Sequence, residues 1–73
     1  MSNDKLQKAQ SLHRSGDLAA AIEVYLELID SDSSNSDLHH LLGIAYSQSG
    51  DNQAATKSIK RAIKLDDQQA AYY

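Results

Sequence analysis

Cysteine, proline, tryptophan and phenylalanine are all absent from this chain, and glycine occurs three times in 73 residues. Without cysteine there is no disulfide scaffold, and cysteine usage carries no further redox information. Four tyrosines are the whole aromatic complement. A core must therefore be built from Leu, Ile, Ala and a little Tyr, a set that suits helices more than sheets. Apolar runs are short, and none approaches the length of a membrane span. Met1 is followed by Ser2-Asn3-Asp4-Lys5, which lacks the apolar run of a signal peptide, so a cytoplasmic chain with no membrane partner is expected. The net charge of −3 argues against nucleic acid as a partner. That charge is uneven: residues 1–35 carry three basic and six acidic side chains, and residues 36–73 carry four of each. A domain of this length buries only about 60% of its unfolded surface, so its stability is marginal without help.

What is present is a duplication. Ser15-Gly16-Asp17 recurs as Ser49-Gly50-Asp51 at an offset of 34 residues, and Ala21 answers to Ala55, Tyr25 to Ile59, Ile29 to Ile63 and Leu12 to Tyr46. Apolar residues recur with helical spacing in four blocks. Leu6, Ala9 and Leu12 mark the first; Leu18, Ala21, Ile22, Tyr25, Leu28 and Ile29 the second. Leu38, Leu41, Leu42, Ala45 and Tyr46 mark the third; Ala55, Ile59, Ala62 and Ile63 the fourth. Gly16 and Gly50 sit where a helix would end in a left-handed residue, and Asp17 and Asp51 where the next helix needs an acceptor at its free N–H groups. These signals predict an all-α fold of two tandem antiparallel helical hairpins, over about residues 4–31 and 36–66. The polar run from Asp30 to Asp37 is the turn between them, with Asn35 or Ser36 starting the third helix.

The second unit resembles the tetratricopeptide repeat, a 34-residue helix–turn–helix unit. Leu42-Gly43-x-x-Tyr46, then Gly50-Asp51, Ala55 and Ala62, carry the resemblance. Gly43 and Ala55 would let the two helices of a unit approach closely, with Tyr46 and Ile59 filling the space beside them. The first unit matches less well, with Ala9 in place of the glycine. The large aromatic that opens a strong repeat is Lys5 in one unit and His39 in the other, and the closing proline is Ser33 and Asp67. The resemblance implies one domain over residues 1–73 with a right-handed superhelical stack: repeat one over about 2–35, repeat two over about 36–69, and the start of a third at 70–73.

Candidate chemistry is sparse. His39 and His40 are adjacent and would point about 100° apart on a helix, a poor arrangement for one metal ion. His13 belongs to another helix, and no cysteine or placed carboxylate joins it. No serine has a base and orienting acid beside it, and no glycine-rich phosphate loop occurs. No metal, cofactor, catalytic residue or enzymatic activity is expected. Lys57, Lys60, Arg61 and Lys64 share one face of the fourth helix, as Glu23, Glu27 and Asp30 do on the second. Exposed helix faces ordinarily look like this. The basic strip could also dock an acidic partner or phosphates, and stacked repeats would set the acidic strip beside the basic one.

The resemblance implies a protein-interaction scaffold whose first helices line a concave surface for a peptide or partner protein. Asn3, Leu6, Gln10, His13 and Arg14 map there from the first unit, with Asp37, His40, Ile44, Ser47 and Gln48 from the second. Repeats that clasp acidic chaperone tails use a Lys/Asn set at several of these places; Leu6, Gln10, Leu41 and Ile44 stand there instead, so that activity is not expected. The other readings are a structural, self-assembling repeat unit and an N-terminal accessory region of a larger protein. For self-assembly, Ile59 and Ile63 with Tyr72 and Tyr73 would form the contact. No residue of Gly, Pro or Ser interrupts 64–71, so the fourth helix could run on to Tyr73 and pair between chains as a homodimer.

Overall fold

A computed structural model describes residues 2–70 of the chain, and the side chains of residues 4–66. Four helices follow one another: α1 (Ser2–Ser15), α2 (Leu18–Ser31), α3 (Ser36–Ser49) and α4 (Asn52–Ala70). Packing is sequential, with α1 on α2, α2 on α3 and α3 on α4. No strand occurs among the described residues.

The repeated Ser-Gly-Asp triplet is a complete helix–helix joint. Ser49 Oγ donates to the Tyr46 carbonyl at 2.8 Å, and Ser15 Oγ to that of Leu12 at 2.9 Å. Gly50 and Gly16 then turn left-handed, with φ of 93° and 90°, a conformation that costs other residues a clash at Cβ. Their amides close onto the Ser47 and His13 carbonyls, while Asp51 N reaches Tyr46 O and Asp17 N reaches Leu12 O, both at 2.9 Å. Each aspartate finally caps the next helix: Asp51 Oδ1 accepts from Ala54 N at 3.1 Å, and Asp17 Oδ1 from Ala20 N at 3.4 Å. Three residues thus end one helix, reverse the chain and begin another.

The turn between the units is built differently. Asp32 N closes α2 onto Leu28 O and Ile29 O. Asn35 Oδ1 accepts from Asp37 N and Leu38 N to start α3, and Asn35 Nδ2 donates to Asp32 Oδ2. His39 Nε2 lies 3.0 Å from the Ser33 carbonyl. A carbonyl can only accept, so that nitrogen carries the proton. The residue that replaces the opening aromatic therefore serves as a latch on the turn.

No equivalent turn follows the second unit among the described residues. The fourth helix, expected to end near residue 66 or to run on to Tyr73, extends to Ala70, past the first of these. Asp66-Asp67-Gln68-Gln69 stands where Asp32-Ser33-Ser34-Asn35 makes the first turn, and glutamine favours a helix interior over a cap. Leu65 is also buried, where its counterpart Ser31 is exposed, giving α4 an apolar anchor at the point where α2 ends. Residues 71–73, expected to begin a third unit, lie outside the described residues.

The core forms where α3 meets the first hairpin: Ala9, Ala21, Tyr25, Leu42 and Ala45 are buried, with Leu6, Leu12, Ile22, Val24, Ile29, Leu41 and Tyr46 around them. Within the second hairpin the contact is closest at Gly43. A Cβ there would lie 2.6 Å from Ile59 Cδ1, 2.8 Å from Ile59 Cγ1 and 3.3 Å from the Ala55 carbonyl oxygen. The close approach expected of Gly43 and Ala55 is present, and Ile59 fills the space beside it.

The acidic and basic strips form no ion pair with each other among the described residues. Glu27 pairs instead with Lys5 of α1 at 3.3 Å, and no ion pair joins α2 to α4 among the described residues.

Two outcomes follow from this packing. Gly43→Ala should lower stability by about 1 kcal/mol, because overpacking costs about 1–3 kcal/mol and exceeds the roughly 0.5–1 kcal/mol that alanine gains in a helix interior. Urea unfolding measures it, and Ile59→Val should recover part of the loss; a stabilised Gly43→Ala protein would contradict the contact. The second concerns pH. Tyr25 is 0% exposed, and this burial holds its hydroxyl pKa above the ordinary 10.0. The unfolded chain then gives up the proton at a lower pH than the folded one. Tyr25's contribution to stability is fully present below its unfolded pKa of 10.0 and is lost as pH rises through the folded pKa. Unfolding curves across that range should show this slope for the native chain and a shallower one for Tyr25→Phe.

Candidate functional site

Helices α1 and α3 present their free faces side by side, and the space between them is a continuous groove. One end is a concavity of about 360 Å³ lined by Leu6, Gln10, Asp37, His40, Leu41 and Ile44. The other, of about 680 Å³, is lined by Gln10, His13, Arg14, Tyr25, Leu41 and Gln48. Gln10 and Leu41 belong to both and join them at the middle. The row Asp37, Leu41, Ile44 and Gln48 follows helical spacing along α3. Leu41, which repeat position sets with Leu6, Gln10 and Ile44, lies in that row and lines both concavities.

His13 ties the two units together across the groove. Its Nε2 lies 2.6 Å from Gln48 Oε1, and its Nδ1 lies 3.4 Å from the Tyr25 hydroxyl. The amide oxygen accepts, so Nε2 carries the proton; Nδ1 is then the acceptor for the tyrosine O–H. The two rings meet edge to face, 6.2 Å apart at 76°. This places a buried hydroxyl at the groove floor and uses His13 and Gln48 in holding one unit against the next. Sequence position brings both residues to the groove but does not reveal that they bond to each other.

The polar groups at the two ends differ in sign. Arg14 is exposed at one end, and Asp37, with His40 near it, at the other. From Asp37 to Gln48, which is level with Arg14 by repeat position, α3 rises about 16 Å. Apolar surface from Leu6, Leu41 and Ile44 lies between.

Ser47 is not in this groove. It faces a separate concavity of about 490 Å³ between α3 and α4, lined also by Gly43, Ile44, Asn52, Ala55, Thr56, Ile59 and Lys60. Of the residues expected in self-association, Ile59 lines this second concavity and Ile63 is 58% exposed on α4. Tyr72 and Tyr73 lie outside the described residues. Among the described residues, no group of three or more His, Cys, Asp or Glu is placed to hold a metal ion, and no helix is long and apolar enough to cross a membrane.

Two family models match the chain: one described as TPR repeat over residues 9–50, and one as tetratricopeptide repeat over residues 36–69. Among curated proteins, none matches it. Repeats of this kind are generally protein–protein interaction modules and typically non-catalytic. The first match spans more than half of the chain, crosses the first joint and ends at Gly50 in the second, and the second match coincides with the hairpin of α3 and α4, so the chain belongs to the tetratricopeptide repeat family.

Proposed function

We propose that the groove between α1 and α3 binds a short extended segment of a partner protein. The observation that supports this reading is the groove's make-up: apolar surface at Leu6, Leu41 and Ile44, bounded by Arg14 at one end and Asp37 at the other. An extended strand advances about 3.3 Å per residue, so about five residues cover the distance between those charges. The fitting ligand carries an acidic group toward Arg14 and a basic one toward Asp37, with an apolar side chain between. Gln10 and His40 offer hydrogen bonds along the way. Leu6 and Ile44 stand where an all-cationic clamp would need charge, which disfavours a purely acidic tail.

A peptide array varying those three features, followed by fluorescence anisotropy on the best binders, tests the reading. Arg14→Glu should weaken an acid-bearing peptide by about tenfold or more, since a charge-assisted hydrogen bond contributes roughly 1.5–3 kcal/mol. His40→Ala should have a smaller effect in the same direction. Both residues are exposed, so circular dichroism should be unchanged. Binding insensitive to both substitutions would move the ligand to another surface.

A further inference from the structure

Three large apolar side chains are exposed in the described structure: Leu26 at 45%, Ile44 at 36% and Ile63 at 58%. Ile44 belongs to the groove. Leu26 and Ile63 do not, and each stands beside a charged row of opposite sign. Glu23 lies three residues before Leu26 and Glu27 one after; Lys60 lies three residues before Ile63 and Lys64 one after. At about 100° per residue, Glu23, Glu27 and Asp30 all fall to one side of Leu26. Lys57, Lys60 and Lys64 fall to the same side of Ile63. All six charged residues are exposed.

Two helices placed face to face bring same-handed sides together only when they run antiparallel. With Leu26 of one copy opposite Ile63 of another, the residue before one apolar centre then meets the residue after the other. Glu23 faces Lys64 of the partner subunit, and Glu27 and Asp30 face Lys60 and Lys57 of the partner subunit. Run parallel, the charged rows would lie on opposite sides. Within one chain, among the described residues, no ion pair joins these two rows. Glu27 does hold Lys5, but both side chains are about 60% exposed, and such a pair contributes little and exchanges readily.

We propose that α2 of one copy packs antiparallel on α4 of a second copy, centred on Leu26 against Ile63 and directed by the flanking glutamates and lysines. The two surfaces are different patches of the same chain, so the contact is head to tail and repeats from copy to copy. It uses neither the groove nor its residues, and stands or falls independently of peptide binding.

Sedimentation of the native chain at rising concentration tests the proposal. In low salt the average mass should rise above the 8.0 kDa of one chain and return toward it in about 1 M salt, where screening extends over only about 3 Å. Glu23→Lys and Lys64→Glu should each weaken association by about tenfold. Mixing those two variants should restore it, because each supplies an unaltered surface that the other needs. Ile63→Ser should weaken it without changing helix content. A single 8 kDa species at all concentrations in low salt would overturn the proposal. So would assembly indifferent to the charge reversals, or a mixture no better associated than either variant alone.

Discussion

Helix α3 is buried on two sides, and neighbouring residues along it answer to different partners. Leu42 and Ala45 close the core against Ala9, Ala21 and Tyr25 of the first hairpin. Gly43, between them, brings α4 close enough for Ile59 to occupy the room a side chain would take. A helix caught this way cannot move toward one neighbour without opening a gap at the other, because close-packed interiors tolerate little change in volume. Its remaining face is the one that lines the groove. Groove shape is thus a consequence of core packing, and the substitutions most damaging to the site include ones that never touch a ligand.

The same constraint separates the two ends of the molecule. In the first hairpin, Ala9, Ala21 and Tyr25 are completely buried beneath α3. Their counterparts in the second hairpin, Gly43, Ala55 and Ile59, line an open concavity. Two copies of one unit therefore present unlike surfaces: among the described residues, one lies beneath the next helix and the other borders a concavity. Charge follows a similar division, with acid gathered on α2 and base on α4. An arrangement of that kind favours contacts between unlike patches over contacts between like ones, since like charges brought together oppose association.

Much of the fold was legible because its signals are local. The joints at Gly16 and Gly50 involve hydrogen bonds spanning six residues or fewer, between the triplet's own groups and backbone groups of the adjoining helix turns. Asn35 as the start of α3 reads the same way. The end of α4 was less legible: Asp66 and Asp67 resemble the polar run after α2, yet buried Leu65 and the glutamines carry the helix onward. In the site, repeat position placed Leu6, Gln10, His13, Arg14, His40, Ile44 and Gln48 along the groove, but it also put Ser47 there, which faces α4.

What the chain's own order of residues determined is therefore the set of helices, their reversals and the phase at which the unit repeats. Each depends on backbone groups close in sequence. Tertiary structure alone decided that His13 reaches Gln48, that Glu27 pairs with Lys5 and not with α4, and which way Ser47 points. Those outcomes depend on the rotation and spacing of helices packed together, and a few degrees of either moves a side chain from one neighbour to another.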